Sequence, residues 1–424
     1  MTRQESAGGT EKKRPVLAAV TGHFIEVYDA ALYGLFVLPI AKAFFPAGND
    51  DRAFLAALIA FGASFVARPI GGIAVGLLAD RIGRQKTLVA TILVVGSATA
   101  AVGALPTYAQ AGTLAPILLF VCRIVQGFAS GGETTVIPVY LGEQAEPRRR
   151  GLITSLIAVA GNAATVLAAL AGATLSARLP PAAFDSWGWR TPFLAAIPLA
   201  VLGFHLRRKL SEPLPGQDRE GFRFRFRKIR ANWKTVAQLS LLGGLGTPVY
   251  LLIVYYPSFL IRVSGLPEAQ ARLMPLILIA GSALLNPAVG VLGDRLGRRV
   301  PLLLAAGISI ATAVPAFSIA TGGTLAGAII GGILLALPIP LCLGSIHAVS
   351  MELYPRDIRA TAGGLASTVG GLVFSGLPPV VIQLLSSTSV GHTLAPALVL
   401  MTCGSIGLLA ALRLPDTRTI RIDQ

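Results

Sequence analysis

Charge is scarce in this sequence. Asp, Glu, Lys and Arg make up 13% of its 424 residues, about half the ~25% usual for soluble domains. With 54% of residues hydrophobic, that shortage excludes an ordinary water-soluble globule. Cysteine is rare too. Cys122, Cys342 and Cys403 fall in apolar runs with no metal-ligand spacing, which excludes a disulfide framework and a zinc site. No nucleophile–base pair or metal cluster stands out, so neither an enzyme nor a cofactor is expected. The first apolar run is too long for a signal-peptide core and lacks a cleavage site, so it is expected to remain as a membrane span. Carboxyls are missing from deep positions in the second half, where the notable polar groups are Tyr250, Tyr255, Tyr256, Asn286, His347 and Gln383.

What is abundant is apolar runs near the ~20 residues that cross a bilayer. Twelve are read, at 16–40, 54–79, 86–106, 114–141, 151–177, 190–206, 235–261, 270–292, 300–320, 324–351, 361–387 and 393–413. The net charge of +16 invites a nucleic-acid reading, and its distribution argues against one. Of 36 Lys and Arg, 28 lie in the tails, alternate loops and linker that a cytoplasmic N-terminus places inside the cell. Six lie on the other side, and Arg68 and Arg123 lie within runs. This asymmetry follows the positive-inside rule and predicts both termini in the cytoplasm. The basic charge then serves orientation and contact with anionic lipid, including the alternating Phe and Arg of 222–228.

The chain also repeats itself. Gly76-Leu-Leu-Ala-Asp80-Arg81-Ile-Gly-Arg84 returns 214 residues later as Gly290-Val-Leu-Gly-Asp294-Arg295-Leu-Gly-Arg298. Glu143 and Arg150 return 209 residues later as Glu352 and Arg359. Two offsets near half the chain predict two copies of a six-span unit, 1–206 and 235–424, joined by a basic cytoplasmic linker at 207–234. Both charged sets fall at cytoplasmic helix ends, where charges pair across halves in one state and part in another.

Ionisable residues inside the spans are the candidate site. In the first span Gly22, Glu26, Asp29 and Tyr33 share one helical face. A carboxyl there costs about 2.5–3.5 kcal/mol on insertion scales, so both should face protein or a wet cavity. Arg68 lies 12 residues before Asp80, about 18 Å deeper, and needs a partner such as those carboxyls. In the fourth span Arg123, Gln126, Ser130 and Glu133 form one polar stripe. Asp29 is about 21 Å from the inner end of its span and Arg123 about 10 Å from the outer end of its own. The two depths sum to one ~30 Å hydrocarbon thickness, so these residues can meet. The plainer alternative is that such pairs only tie helices together. His347, alone in its span, reads first as a packed hydrogen-bonding residue.

The Gly-x-x-x-Asp-Arg-x-Gly-Arg turn after the second span resembles the signature of the major facilitator superfamily. Four further stretches resemble its metabolite:proton symporters, and most of all the citrate–proton branch. They are His23-Phe-Ile-Glu26-Val-Tyr28-Asp29, Ala67-Arg68-Pro69-Ile-Gly71, Arg123-Ile-Val-Gln126 through Gly132-Glu133, and Trp187-Gly-Trp189-Arg190-Thr-Pro192-Phe193. The resemblance implies an all-α membrane protein of twelve transmembrane helices in two pseudo-symmetric six-helix bundles, working by alternating access. Two departures stand out. His23 occupies a position that is usually Asn, and the chain ends about ten residues past the last span, without the coiled-coil tail of osmosensing proline/betaine carriers. An osmosensor is therefore not expected.

The expected function is proton-coupled uptake of a small organic acid, such as citrate or another di- or tricarboxylate, by a monomer in a bacterial-type inner membrane. In this reading Arg123 and Arg68 bind the substrate carboxylate through a fork geometry, in a site completed by Tyr33, Gln126 and His23. Glu26, Asp29 and Glu133 are the proton-site candidates. Asp80, Arg81, Arg84, Glu143, Arg150, Asp294, Arg295, Arg298, Glu352 and Arg359 form the gate. Partners are the organic anion, the proton and the lipid bilayer, with no nucleic acid. The alternative is an importer of a zwitterionic osmolyte or aromatic acid, such as proline, betaine or shikimate. Less favoured are a non-transporting sensor and a proton/drug antiporter, whose Gly-Pro-x-x-Gly-Gly signature is missing from 151–175.

Overall fold

A computed structural model describes residues 21–46, 48–82, 84–132, 137–138, 141, 145–146, 149–208, 222–355, 358–387 and 391–415. Side chains at 76–77, 79–81, 84, 222–226 and 360 lie outside that description. Among the described residues the secondary structure is helical throughout. A segment in hydrocarbon has no water to satisfy its backbone, so each apolar run closes its own hydrogen bonds as a helix.

Among the described residues eleven helices are long and apolar enough to cross a membrane, and a bent pair taken as one span makes twelve. The first is a bent pair, Thr21–Leu35 and Val37–Phe44 (α1). In order follow Asp50–Ile82 (α2), Arg84–Ala104 (α3), Leu114–Gly131 (α4), Arg150–Arg178 (α5) and Gly188–Arg207 (α6). The second half comprises Trp233–Arg262 (α7), Glu268–Leu296 (α8), Arg299–Ala320 (α9), Leu325–Glu352 (α10), Thr361–Ser386 (α11) and Gly391–Leu412 (α12). Phe222–Ala231, in the linker, is helical. The end of the bundle that carries this linker is called the linker face below. Large apolar side chains such as Leu284, 82% exposed, point outward as a lipid-facing surface should.

Breaks in these helices are traceable to proline. α1 was read as continuous, yet its two pieces meet at 68°. Pro39 has no N–H to offer the Leu35 carbonyl four residues back, and the helix bends there. Arg272 of α8 answers that orphan acceptor, its Nη1 donating to Leu35 O at 3.4 Å. α11 repeats the device. Pro378 frees the Phe374 carbonyl within a π-turn at Leu372–Gly376, and Thr247 of α7 donates to it at 2.9 Å. α7 carries its own π-turn at Leu251–Tyr255. Such turns cluster at functional sites, and both lie in cavity-lining helices.

α2 and α4 approach to backbone contact. A Cβ at Gly127 would stand 1.8 Å from the Ser64 carbonyl oxygen, and one at Gly131 would stand 2.0 Å from that of Arg68. Only glycine permits this seam, which sets the depth of Ser64 and Arg68 against α4. The Trp187–Phe193 stretch turns out to be a clamp. Arg190 donates to carbonyls at the end of α3, Gly103 at 2.9 Å and Leu105, just past it, at 2.6 Å, where a cation also complements the helix dipole.

A central cavity between the halves and a sealed ionic cluster beside it

The charged residues of α1, α2 and α4 sort into two clusters. The first is dry. Arg123 Nη1 donates to Asp29 Oδ2 at 3.0 Å and to Gln126 Oε1 at 2.7 Å, and its Nη2 reaches Ser64 Oγ at 3.3 Å. Gln126 Nε2 donates to Asp29 Oδ1 at 2.7 Å, with the Thr99 hydroxyl 2.8 Å from the same oxygen. The guanidinium lies 4.4 Å from the centroid of the Tyr33 ring, whose hydroxyl donates to Ala57 O at 3.0 Å. Arg123 and Gln126 are each 1% exposed. Both Asp29 oxygens are thus paired inside the first half, and of the guanidinium nitrogens Nε alone has no partner.

The second cluster faces a cavity of about 230 Å³ at the junction of the two halves. Arg68 Nη1 meets Glu26 Oε1 at 2.9 Å, and its guanidinium stacks 4.2 Å from the Phe65 ring centroid. Glu26 Oε2 makes no hydrogen bond, and His23 Nδ1 stands 3.6 Å from it. Arg68 Nε and Asn162 Nδ2 are likewise buried without partners. His23, Glu26, Arg68 and Asn162 all line the cavity, and the second half contributes Tyr250, His347, Ser350 and Ser375.

Arg123, Gln126, Tyr33 and Asp29 are therefore brought together, but they do not line this cavity, whereas Arg68, His23 and Glu26 do. Helical geometry gives the reason. The cavity-facing residues of α1 include His23, Glu26, Val27 and Ala30, and Asp29 lies about 60° further round from Glu26 at 100° per residue. That turn aims Asp29 at α3 and α4. Glu133 lies outside the described residues.

The cavity is closed on the side away from the linker. Val254 packs against Gly34, Gly376 against Gly62, and Phe65 meets Tyr250 edge-to-face at 5.7 Å. At the rim of that side Asp51 pairs with Arg262 and sits 3.4 Å from Gln383 Nε2. Toward the linker face the lining continues as far as Leu239, Ser350 and Ala366.

At the linker face itself, Asp294 at the end of α8 accepts from the Gly151 N–H at 2.9 Å and the Leu152 N–H at 3.1 Å. These amides are orphan donors of the first turn of α5, so an anion is favoured there by hydrogen bonding and dipole together. Arg298 pairs with Asp294 at 2.7 Å and with Glu352 at 3.1 Å. Arg359 donates from Nε to Tyr354 O at 3.2 Å. Arg150 is buried at the start of α5, and Arg295 is exposed. Asp80, Arg81 and Arg84 have helical backbones and side chains outside the description, as does the whole of Glu143.

Signals for the second-half wall were slight in the sequence. Tyr250 and His347 stood out as polar groups in apolar runs, but Ser350 and Ser375 carry no pattern that singles them out; nor does Asn162 on the first-half side.

Comparison with known proteins bears on the whole bundle. A family model described as Major Facilitator Superfamily matches residues 21–378. The chain is 32% identical over 421 residues to the proline/betaine transporter of Escherichia coli K12, covering 96% of this chain and 84% of that one. It is 31% identical over 420 residues to the citrate-proton symporter of Klebsiella pneumoniae, covering 96% and 93%. A partially occluded, inward-open structure of the xylose transporter XylE from E. coli superposes with a TM-score of 0.74 at 17% identity, over 95% of this chain and 97% of that one. Family match, relatives and fold agree: the chain belongs to the Major Facilitator Superfamily, a twelve-helix membrane transporter in two six-helix bundles and not an enzyme.

Proposed function

We propose that the protein is a proton-coupled importer of a small organic anion, and that Arg68 and Glu26 are the exchanging pair at its centre. One observation carries this reading: a buried ion pair with unpartnered atoms on both members lines a cavity between the halves. A substrate carboxylate that takes the Arg68 guanidinium gains a charge-assisted, fork-shaped contact. Glu26 then loses its counter-ion in a poorly hydrated site, where the charged form is disfavoured, and takes up a proton. Anion and proton thus become mobile together.

The gate follows from alternating access. The Asp294 contact with α5, reinforced through Arg298 and Glu352, holds the linker face of α5 and α8 together. Asp51 with Arg262 holds the opposite rim. Rocking of the halves breaks one set while keeping the other. Asp80, Arg81, Arg84, Glu143, Arg150, Arg295 and Arg359 belong to the linker-face set by their repeat positions. The Asp29–Arg123 cluster is assigned to holding α1, α3 and α4 as one body. The loop charge bias, 28 against six, orients the linker face and both termini toward the cytoplasm of a bacterial inner membrane.

A second reading has its own support in the 32% identity to a proline/betaine transporter. Glu26 offers the negative charge that a zwitterion's ammonium needs as a counter-ion. Uptake by proteoliposomes under an inward proton gradient separates the two. Accumulation of citrate or another small carboxylate is expected, and accumulation of proline or betaine alone would overturn the anion assignment.

A further inference from the structure

Alternating access requires the substrate to be held by both halves, since a ligand touching one half alone gives no reason for the other to close on it. In the first half the anchor is Arg68. The facing wall offers few groups of comparable strength. Among its described lining residues, the hydroxyls of Tyr250, Ser350, Ser367 and Ser375 are neutral, and His347 on α10 is the sole basic group.

The placement of His347 is distinctive. Its ring is half-buried and lines the cavity, and neither ring nitrogen has a hydrogen-bond partner among the described residues. It lies edge-to-face with His23 of α1, ring centroids 6.3 Å apart, so the two imidazoles meet across the junction of the halves. His23 faces its own half: Nδ1 stands 3.6 Å from Glu26 Oε2, and Nε2 packs against α5, 3.1 Å from where a Cβ on Gly161 would stand. His347 is the imidazole that the second half contributes to the lining. Arg68, Glu26, His23 and His347 consequently form a row from α2 through α1 to α10, with a donor at each end. The lining also holds only one Phe, Tyr or Trp among its described residues, Tyr250, which falls short of the aromatic cage that recognises a quaternary ammonium.

We propose that His347 is the second-half anchor of the substrate. It donates to a second acid group on an anion whose first carboxylate occupies Arg68, and so makes the cavity selective for di- and tricarboxylates over monocarboxylates and betaines. This rests on the anion reading above and adds to it the residue that counts acid groups. A monocarboxylate fills the Arg68 end and leaves α10 unengaged. A dicarboxylate spans the junction and draws α10 toward α1.

The test is binding to the purified full-length protein of succinate, citrate, butyrate and glycine betaine, in the wild type, His347→Ala and His347→Gln. Unliganded thermal midpoints serve as the check on folding. The wild type should bind succinate or citrate at least tenfold more tightly than butyrate, and betaine weakly. His347→Ala should weaken the di- or tricarboxylate about tenfold or more, as loss of a hydrogen bond to a charged group does, and leave butyrate unchanged. His347→Gln keeps an N–H donor and should recover most of that affinity. Equal losses for butyrate and succinate, or no loss for either, would overturn the second anchor while leaving the anion reading intact. Tight betaine binding with no carboxylate binding would instead overturn the anion reading, and the anchor with it.

Discussion

Two ionic pairs sit within a few residues of each other on α1, and they live in different worlds. Asp29 and Arg123 are surrounded: Thr99, Gln126 and Ser64 pair with them, and the Tyr33 ring covers the guanidinium. Glu26 and Arg68 are left with buried atoms unpaired beside a cavity. In low dielectric a network whose members are paired rigidifies its surroundings, while an incompletely paired one remains open to exchange with a ligand. The lesson is that an intramembrane ion pair is not a substrate site by virtue of its charges. What distinguishes a site is polar capacity left unused where a ligand can reach it.

The comparison breaks most severely at Arg123. Arg123→Gln strands Asp29 among groups that cannot neutralise it, and removing one partner of a buried pair costs about 3–5 kcal/mol. A large fall in the thermal midpoint of the purified protein is expected, with partial recovery in Asp29→Asn/Arg123→Gln. An Arg123→Gln protein of unchanged stability with lost carboxylate affinity would move the substrate site back to α4. Arg68→Gln should show the reverse weighting, with a smaller fall in midpoint, because Glu26 beside the cavity can take up a proton, and loss of binding.

The α2–α4 seam sharpens the contrast, because Ser64 belongs to the enclosed cluster and Arg68 to the cavity-lining one. Gly127→Ala places a methyl against the Ser64 carbonyl and Gly131→Ala places one against that of Arg68. Each forces backbone movement, for which overpacking costs about 1–3 kcal/mol. The account expects Gly127→Ala to lower the midpoint chiefly, and Gly131→Ala to weaken substrate binding as well. Equal binding losses from both would erase the distinction between the clusters.

The smallest effect belongs to a site outside both clusters. Asp294→Asn removes the charge that faces the first turn of α5, worth about 0.5–2 kcal/mol by analogy with helix caps and dipole contacts. It should leave binding almost unchanged and increase labelling of a cysteine placed at the linker face of the cavity. Unaltered labelling would remove Asp294 from the gate.

Much of this was legible in advance, for identifiable reasons. The twelve crossings follow from apolar run lengths, since a bilayer allows the backbone few other solutions. Depth arithmetic put Asp29 and Arg123 at one level, and they are 3.0 Å apart. A buried Arg68 demanded a carboxyl, and Glu26 supplies it. What stayed hidden was direction. Gly22, Glu26, Asp29 and Tyr33 share a broad helical face, and a face does not say which neighbour fills which edge of it. The 68° bend in α1 depended on the Pro39–Leu35 relation within what reads as an ordinary apolar run. The second-half wall was faint because its polar contributors are single hydroxyls and one histidine, with no carboxyl to announce them.

The central claim is that Glu26 carries the coupled proton once substrate takes Arg68. It is tested most directly by comparing two modes of transport in proteoliposomes bearing Glu26→Gln. The account predicts that the variant still exchanges labelled for unlabelled carboxylate across the membrane and no longer accumulates it under an inward proton gradient. Accumulation by Glu26→Gln at the wild-type level under that gradient would contradict it.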